Sequence, residues 1–450
     1  MARQLFGTDG VRGTAGEYPL DAKTVHAFGI ALGDIAVHHS ANPEVVIGMD
    51  TRESGSWIAA QVAGGLARRG VRVRFAGVTT TPGVAYLTRT NSFVAGVMIS
   101  ASHNPYRDNG IKVFGHSGYK LPDDEEHAIE QEIFAFLEAG VNPQPIALEP
   151  DPGLDCHYID YLISTAGGSF AGLRMVADCG NGSASGLAPE LFGRLGAEVM
   201  AMCAEPDGRN INLGCGALHV EKLRERVLAE KADVGVAFDG DADRAIFVSR
   251  QGKIVDGDAV LLAAATRLHS LGRLKGPDGR PTVVATVMSN LGLERALNAR
   301  GIQMLRTPVG DKYVLEEMLR TGAVLGGEQS GHVIFLDYAT TGDGLLTAVR
   351  LFETMVEQGA GLDELTAGLE IYPQRLVNVR VKSKRPLSEL PGVNAEIRAA
   401  EQAFGSAGRV LVRFSGTEPL ARVMVEGPEL SQVEAYASRI AGLIERELGG

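Results

Sequence analysis

The stretch EVVIGMDTRESGSWIAAQVAGGLARRGVRVRFAG (residues 44–77) contains one complete strand–helix–strand unit. Its first part, Glu44–Asp50, is a Val-containing apolar run without helical spacing, which predicts a buried strand. The amphipathic stretch SWIAAQVAGGLARRG ends at Gly70, and glycine after arginine predicts a helix end because glycine accepts the left-handed cap conformation. The run VRVRFAG then predicts a second strand, so the order is that of an α/β fold.

The same order of elements recurs twice further along the chain. Strand-like runs begin the second and third copies at Leu173–Cys179 and Pro281–Ser289. Each is followed by a helix-like stretch that ends in glycine, at Gly196 and Gly301, and then by another strand-like run. A repeated order of supersecondary elements is the sequence signature of related structural units. We therefore predict three related α/β domains.

Each copy continues into a further strand and then into a polar loop. FVAGVMI leads into SASHNPYRDNGIK, DVGVAF into DGDADR, and AVLGG into EQSGH. Because ligands of α/β proteins bind beyond the carboxyl ends of strands, we predict that the three loops line one central cleft. After about residue 370 the pattern changes to alternating strands and a terminal amphipathic helix. The predicted domains span residues 1–155, 156–255 and 256–370, with a smaller C-terminal α+β domain at residues 371–450.

Composition limits the classes of protein to which the chain can belong. Its 450 residues suffice for three or four domains, and 45% hydrophobic with 22% charged residues is typical of a chain with a folded core. A net charge of −12 argues against broad binding to nucleic acid or to anionic membranes. Since no apolar run has the length of a signal peptide or a membrane span, we expect a cytoplasmic protein. The sequence leaves the oligomeric state open, with a homodimer as one option.

The four cysteines are sparse and far apart. They are Cys156, Cys179, Cys203 and Cys215, and no two of them form a C-x-x-C pair. Their spacing indicates neither a zinc site nor a disulfide framework, so we expect reduced thiols in the core or in loops.

The loop SASHNP presents a candidate nucleophile. Ser102 follows the apolar strand, and the turn at Asn104 and Pro105 makes the chain leave that strand sharply. Lys112 lies ten residues on and would supply a positive charge near a phosphoryl group. One hypothesis is a serine that carries a group covalently. The alternative is a serine that caps the next segment, and Ser100 is an equal candidate.

The loop DGDADR presents a candidate metal site. Asp239, Asp241 and Asp243 occupy alternate positions after an apolar strand. Three carboxylates so close repel one another unless a cation neutralises them, and hard oxygen ligands suit Mg²⁺ beside phosphates. Arg244 follows directly and is suited to bidentate phosphate binding. The loop does not fit an EF-hand, because Arg244 stands where that motif has glycine. The alternative is a solvated acidic turn.

Two further loops carry groups that suit a polar, anionic ligand. EQSGH offers Glu328, Ser330 and His332, an acceptor pair beside a histidine, which suits a polyhydroxyl ligand and proton transfer. RFSGTEPLAR combines hydroxyls, glycine and two guanidinium groups into an anion cradle. The residues of this C-terminal cradle are Arg413, Ser415, Gly416, Thr417 and Arg422. The alternatives are a structural histidine and a hairpin turn with surface arginines.

Together these loops resemble those of one family, the α-D-phosphohexomutases. The motifs that carry the resemblance are GTDGVRG at Gly7–Gly13, SASHNP, DGDADR, GEQSGH at Gly327–His332 and RFSGTEP, along nearly the whole chain. GTDGVRG, GEQSGH and PDGRNINLGCG at Pro206–Gly216 are most similar to the bacterial branch that acts on glucosamine phosphates. That branch often has Ser-Thr after its Cys-Gly, where this chain has Ala217-Leu218.

The resemblance implies a role for each candidate residue. Ser102 corresponds to a phosphoserine that exchanges its phosphoryl group with a sugar phosphate. The positions matched to Mg²⁺ ligands are Ser102, through its phosphoserine oxygen, Asp239, Asp241 and Asp243. The positions matched to proton transfer or charge stabilisation are Arg12, Lys112 and His332. Sugar hydroxyls are matched to Glu328 and Ser330, and the non-reacting phosphate to the C-terminal cradle.

The implied reaction interconverts glucosamine 6-phosphate and glucosamine 1-phosphate for cell-wall precursor synthesis. It passes through a bisphosphorylated sugar, and the matching activator is glucosamine 1,6-bisphosphate. The nearest alternative is a phosphomannomutase or phosphoglucomutase on the same scaffold. A phosphohydrolase with Asp239 as nucleophile is a second alternative, although Asp243 stands where that motif has Thr or Val. A metal-dependent protein that binds sugar phosphates without turnover is a third.

Overall fold

The protein, seen in a computed structural model, is described over residues 5–7, 9–415 and 419–449, apart from the side chain of Asp155. The chain divides into a larger unit, residues 1–288 and 300–367, and a smaller unit, residues 289–299 and 368–450. The larger unit contains three mixed sheets with helices, and the smaller contains one antiparallel sheet with helices. The predicted fold class, three α/β domains and a C-terminal α+β domain, is confirmed.

The first sheet is formed by the N-terminal part of the larger unit. Its elements are β1 (Phe6–Gly7), β2 (Gly10–Thr14), α1 (Ala22–His39), β3 (Glu44–Met49), α2 (Gly55–Ala67), β4 (Arg72–Val78), α3 (Thr81–Thr90), β5 (Ala95–Ile99), β6 (Asp108–Gly115) and α4 (Asp123–Glu138). The strand order is β1-β2-β6-β5-β3-β4. Helix α3 begins where Thr80 accepts a hydrogen bond from the backbone of Gly83 and Pro82 stands in the first turn.

The second and third sheets follow along the chain. The second comprises α5 (Pro152–Thr165), β7 (Arg174–Asp178), α6 (Ala184–Arg194), β8 (Glu198–Met202), α7 (Glu221–Glu230), β9 (Val234–Phe238), β10 (Ala245–Ser249) and β11 (Ile254–Val255). The chain continues with α8 (Gly257–Ser270), β12 (Thr282–Thr286), α9 (Leu291–Asn298), β13 (Gln303–Thr307), α10 (Asp311–Thr321), β14 (Leu325–Gly327), β15 (Val333–Phe335), α11 (Gly344–Gln358) and α12 (Leu362–Leu365). The strand orders are β11-β10-β9-β7-β8 and β13-β12-β14-β15.

The three sheets share one topology. In each, the first strand of the repeat (β3, β7, β12) pairs in parallel with the second (β4, β8, β13) and the third (β5, β9, β14). The fourth strand (β6, β10, β15) then pairs antiparallel with the third. Because the third strand of each copy precedes a polar loop, the three predicted loops all leave equivalent strand ends. The predicted threefold repeat is confirmed.

The predicted glycine stops are confirmed, although α2 and α9 each end three residues before their glycine. Gly70, Gly196 and Gly301 have φ of 76°, 93° and 73°, in the left-handed region that glycine favours. The helix α2 ends earlier than predicted, at Ala67, so Arg68 lies beyond its last turn. The Gly70 N–H donates to the Ala67 carbonyl at 2.9 Å, so the residues between them form a turn and do not continue the helix.

The smaller unit has its own core. It includes α9 and the C-terminal elements β16 (Gln374–Arg380), α13 (Pro391–Phe404), β17 (Arg409–Phe414), β18 (Leu420–Glu426) and α14 (Leu430–Leu448), with the strand order β16-β18-β17.

The short 3₁₀ turns are Pro277–Gly279, Leu387–Glu389 and Gly405–Ala407. Throughout the described ranges of the chain, we find no helix that combines the length and apolarity needed to cross a membrane.

Candidate active site

Ser102 lies directly beyond the end of β5 in a constrained turn. Its φ is +53°, a left-handed conformation that is uncommon for a residue with a side chain, and the residue is buried. Its Oγ donates a hydrogen bond to Oδ2 of Asp239 at 2.5 Å. Ser100 has a different environment, because its Oγ donates to Asp50 at 2.7 Å and accepts the backbone N–H of Ser102 at 2.9 Å. Of the two candidate serines, only Ser102 reaches the aspartate cluster through its hydroxyl.

The turn around Ser102 is held by a buried arginine that the sequence motifs did not indicate. The Arg52 side chain is fully buried and pairs with Asp50 at 2.8 Å. Its guanidinium donates to the carbonyls of Ser102 and Asn104 at 2.9 Å each, and to the carbonyl of Asp108 at 3.0 Å. A planar group with five donors can satisfy several carbonyls at once, which makes arginine suited to this position.

The three aspartates of DGDADR come together as predicted. Asp239, Asp241 and Asp243 are buried, and one carboxylate oxygen of each lies within 4.8 Å of the others. Burial, together with Asp243 and Asp241, raises the pKa of Asp239 well above its ordinary value. Burial also acts to raise the pKa of Asp241, but Lys112 and the Thr81 hydroxyl outweigh it and bring this pKa to about 2.

The cluster fits a divalent cation with hard ligands. The Oδ1 atoms of Asp241 and Asp243 are buried and have no hydrogen-bond partner among the described residues. A buried carboxylate oxygen without a partner is costly, and a bound cation removes that cost. With the Ser102 oxygen beside Asp239, the site offers four oxygen donors of the kind that Mg²⁺ takes.

Lys112 is the cation closest to these carboxylates. Its Nζ lies 2.9 Å from Asp241, 3.1 Å from Asp9 and 3.5 Å from Asp243. Burial alone would lower the pKa of Lys112, but Asp241 and the other two carboxylates raise it well above its ordinary value. Lys112 therefore stays charged in this environment.

A network of ion pairs extends from this lysine towards the EQSGH loop. The Asp9 carboxylate contacts Arg12, Lys112 and Lys120, and Lys120 also contacts Asp311. Burial acts to raise the pKa of Asp9, but the three cations outweigh it and hold this pKa well below its ordinary value. Arg12 thus lies in the same charge network as Lys112. Asp9 lies within the motif GTDGVRG without a signal of its own, and nothing in the local sequence indicates Lys120 or Asp311.

The EQSGH loop brings His332 towards Asp311. The two ring nitrogens of His332 are buried without a hydrogen-bond partner in the part of the chain that the structure describes, and Nε2 lies 3.8 Å from Oδ2 of Asp311. Glu328 is half-buried and accepts the backbone N–H of Gly310 at 3.1 Å. Ser330 is exposed. The loop thus offers a buried imidazole and two more accessible polar side chains.

Arg244 connects the aspartate cluster with this loop. Its backbone N–H donates to Asp239 at 3.2 Å, and its backbone forms a β-bridge with His332. Its Nη1 lies 3.1 Å from Nδ1 of His103. Burial, with Arg244 and Arg12, lowers the pKa of His103 to about 4, so that ring is neutral at pH 7 and accepts from the guanidinium.

The predicted C-terminal cradle belongs to the smaller unit. Arg413 on β17 and Arg422 on β18 stand opposite each other in the antiparallel pair. Burial and the neighbouring Arg422 lower the pKa of Arg413, which indicates a concentration of positive charge. Lys384 donates to the carbonyl of Ser415 at 2.6 Å and adds a third cation that sequence reasoning missed. The predicted residues Gly416 and Thr417 lie outside the described residues.

Comparisons with known proteins show the family to which the chain belongs. Sequence profiles of the phosphoglucomutase/phosphomannomutase family match the chain in four parts: α/β/α domain I at residues 3–139, domain II at 157–252, domain III at 256–372 and the C-terminal domain at 376–443. A phosphoglucosamine mutase of Solibacter usitatus is 67% identical over 449 residues, covering 100% of both chains. One of Koribacter versatilis is 52% identical over 458 residues, covering 99% of this chain and 98% of the relative.

Solved structures share the fold at lower identity. A phosphoglucomutase/phosphomannomutase family protein of Burkholderia thailandensis superposes with a TM-score of 0.81 at 24% identity, covering 98% of this chain and 97% of that one. The chain belongs to the phosphoglucomutase/phosphomannomutase family, the α-D-phosphohexomutases. It is therefore an enzyme, a phosphotransferase of the mutase type.

Proposed function

We propose that the enzyme interconverts glucosamine 6-phosphate and glucosamine 1-phosphate in the cytoplasm, with small sugar phosphates rather than nucleic acid or membranes as its partners. The observation that carries the chemistry is the 2.5 Å hydrogen bond from the buried Ser102 hydroxyl to Asp239 of the aspartate cluster. The choice of sugar is supported by the names of the Solibacter and Koribacter relatives, which match essentially the whole chain.

In the proposed reaction Ser102 begins as a phosphoserine. A hydroxyl oxygen of the sugar monophosphate attacks the phosphorus, the bond to Ser102 Oγ breaks, and the hydroxyl proton leaves to a base. The resulting bisphosphorylated sugar then changes its orientation in the cleft. Ser102 Oγ then attacks the other phosphorus, and the released sugar oxygen takes up a proton. Traces of glucosamine 1,6-bisphosphate would keep Ser102 phosphorylated and so act as activator.

The charges around Ser102 suit a reaction of this kind. Phosphoryl transfer depends on positioning and on neutralising charge. We propose that Asp239, Asp241 and Asp243 hold Mg²⁺ together with the phosphoserine oxygen, and the bound ion supplies positive charge to the transferring phosphoryl group. Lys112, whose Nζ lies 2.9 Å from Asp241, would add a second positive charge.

Proton transfer is proposed to involve different residues from charge stabilisation. Lys112 keeps its proton among three carboxylates, and the Arg12 guanidinium pairs with Asp9, so we assign both residues to charge stabilisation. His332 is the better acceptor for the hydroxyl proton, because its ring nitrogens have no hydrogen-bond partner among the described residues.

The remaining residues are proposed to bind the substrate. Glu328 and Ser330 are assigned to sugar hydroxyls, and Arg244 to a phosphate near the aspartate cluster. The C-terminal cradle is assigned to the phosphate that does not react: Arg413, Ser415, Gly416, Thr417 and Arg422. We also propose that the first three domains end at residues 155, 255 and 370. Each of the four domains then supplies one of the polar loops described above.

A turnover assay with glucosamine, glucose and mannose 1-phosphates, Mg²⁺ and a trace of the matching bisphosphate tests the sugar preference. We expect the highest kcat/KM for the glucosamine phosphate. A higher value for glucose or mannose phosphate would reject the amino-sugar assignment and keep the mutase mechanism. In that case, the first variant to test would be one in which Ser-Thr replaces Ala217-Leu218.

Intact mass measurement tests the phosphoserine separately. The protein should carry a phosphoryl mass that phosphatase removes and that maps to Ser102. The Ser102→Ala variant should lack this mass and nearly all mutase activity. Full turnover by that variant would instead favour a phosphohydrolase with Asp239 as nucleophile, and sugar-phosphate binding without turnover by the wild-type protein would indicate a binding protein.

A further inference from the structure

A second cluster of potential metal ligands lies outside the phosphoryl-transfer site. Asp178 ends strand β7, Cys203 directly follows strand β8, and Cys215 lies in the loop that precedes α7. A carboxylate oxygen of Asp178 and the two Sγ atoms all lie within 4.8 Å of one another. The three residues are far apart in sequence, which is why their spacing did not indicate a site.

We propose that Asp178, Cys203 and Cys215 form a binding site for a thiophilic divalent cation, for which Zn²⁺ is the best match. Zinc accepts thiolate and carboxylate ligands in a tetrahedral arrangement, with Zn–S near 2.3 Å, so bound sulfurs stand ~3.8 Å apart. The ligand atoms of the three residues all lie within 4.8 Å of one another, so side-chain adjustment without movement of the backbone would bring them to a common ion. Three protein ligands leave a fourth position for water, and Cys203, which is half-buried, gives access from solvent.

The electrostatic environment of Asp178 supports a cation at this position. Asp178 is fully buried, and Lys222, the cation that acts on its carboxylate, forms no ion pair with it within 4 Å. Its two oxygens accept the backbone N–H groups of Gly180 and Gly216, at 3.0 Å each, and the Cys203 thiol is a further neutral donor to this carboxylate. Removing a carboxylate from water costs free energy that neutral hydrogen bonds offset only in part. A bound cation would offset the remainder.

The charges of the complete site also balance. Each thiol would lose its proton to the solvent as it binds, so two thiolates and one carboxylate would surround a doubly charged ion and leave one excess negative charge. Lys222 supplies the compensating charge, since it acts on all three ligands electrostatically. Burial and the nearby Asp178 raise the pKa of both thiols. The ion must therefore bind sulfur strongly enough to displace protons, which favours Zn²⁺ over Mg²⁺.

A metal ion bound at this site would restrain a segment that supports the turn around Ser102. Cys203 and Cys215 border the stretch 204–214, and Asn212 within it donates from Nδ2 to the Ser102 carbonyl at 2.9 Å. The remaining cysteines do not take part. Cys179 directs its Sγ towards the Ala177 carbonyl at 3.8 Å, and Cys156 is exposed on α5. Cys156 is thus a matched control for a cysteine outside the site.

Cobalt titration of the full-length, reduced protein in excess Mg²⁺ tests the proposal. We expect a thiolate-to-cobalt charge-transfer absorption that saturates at one Co²⁺ per chain and disappears when Zn²⁺ is added. The aspartate cluster has only oxygen ligands and would not produce this absorption. Cys203→Ser and Cys215→Ser should each weaken Zn²⁺ affinity by at least ~100-fold in competition with a chromophoric chelator. Cys156→Ser should leave the affinity unchanged.

Melting curves without metal separate a lost ligand from a damaged fold. Cys203→Ser should melt like the wild-type protein in chelator, because the half-buried hydroxyl replaces a thiol of similar size. Added Zn²⁺ should raise the melting temperature of the wild-type and Cys156→Ser proteins, but not that of Cys203→Ser. The proposal is overturned if the wild-type protein gives no charge-transfer absorption, or if the absorption is the same in Cys203→Ser.

Discussion

The Nζ atom of Lys112 lies 2.9 Å from Oδ2 of Asp241, and both side chains are almost completely removed from solvent. Lys112 is on β6 of the first sheet, and Asp241 follows β9 of the second. The pair therefore joins two of the three related domains at the point where Ser102 meets the aspartate cluster. Removing the lysine leaves buried carboxylates without a compensating charge. We therefore expect its loss to affect both catalysis and stability.

We expect Lys112→Met to lower kcat by ~10²–10³-fold, the usual effect of losing one group that stabilises transition-state charge. The melting temperature should also fall, since Asp9, Asp241 and Asp243 lose their shared cation. Steady-state kinetics and thermal melting measure the two effects. The control is Lys23→Met, an exposed lysine near the start of α1, which should change neither. Unchanged kcat in Lys112→Met would remove this residue from the proposed mechanism.

Asn212 offers a test of the turn that carries Ser102. Its Nδ2 donates to the carbonyls of Ser102 and Asn104, and its own φ is +57°. Asn212→Gly keeps that left-handed backbone accessible and removes the two donors, so kcat should fall about 10-fold, equivalent to ~1.4 kcal/mol. Asn212→Ala should have the same kinetic effect and a lower melting temperature, because alanine is strained at this φ.

The matched control for this segment is Arg209→Ala. The Arg209 side chain is exposed and pairs with Glu53 at 2.7 Å, away from the Ser102 carbonyl. Its loss should leave kcat unchanged. If Arg209→Ala and Asn212→Gly reduced kcat equally, the effect would belong to the segment as a whole and not to the hydrogen bond from Asn212.

These residues also indicate what the sequence could and could not predict. The fold followed from local signals, since each copy has its own apolar strands and a stop such as Gly70. The candidate nucleophile and the aspartate cluster could be located for a related reason: both serines of the SASHNP loop and the DGDADR loop follow a buried strand, where α/β proteins bind ligands. The choice of Ser102 over Ser100 depended on the resemblance to the phosphohexomutases. Their chemistry is contained in short contiguous motifs.

The supporting residues were not predictable in this way. Arg52 acts through carbonyls about 50 residues away along the chain. Lys120 reaches Asp9 and Asp311, which are separated from it by 111 and 191 residues. A lysine or arginine beside ordinary loop residues has no periodicity or spacing that distinguishes it from a surface charge. Only the tertiary structure brings these groups together.

Gly342 limits the position of His332. A Cβ atom on Gly342 would lie 2.4 Å from both Cε1 and Nε2 of the His332 ring, so Gly342→Ala must displace the imidazole. Misplacing a catalytic group by about 1 Å costs ~100-fold in rate, and we expect kcat to fall by that order with a smaller change in KM. Gly168→Ala is the control, because nothing lies within 4 Å of a Cβ there. Equal kinetics of Gly342→Ala and wild type would argue against His332 as the proton acceptor.

Asp343 should make the stability of the protein depend on pH. It is buried at the start of α11, where it accepts the Leu346 N–H and the Tyr158 hydroxyl at 2.9 Å each. Burial outweighs these hydrogen bonds and raises the pKa of Asp343 from 3.8 to about 6. Between these two values the folded protein binds more protons than the unfolded chain, so the contribution of Asp343 to stability falls as pH rises.

Asp343→Asn isolates this contribution from the titration of other groups. Asparagine keeps an acceptor for Leu346 and can donate to the Tyr158 oxygen, but it does not ionise. From pH 4.5 to 7.5 the wild-type protein should therefore lose about 2 kcal/mol relative to the variant. The measurement is the difference in melting temperature between the two proteins across this pH range. A difference that stays constant with pH would show that Asp343 titrates near its ordinary pKa, whatever the absolute stability of the variant.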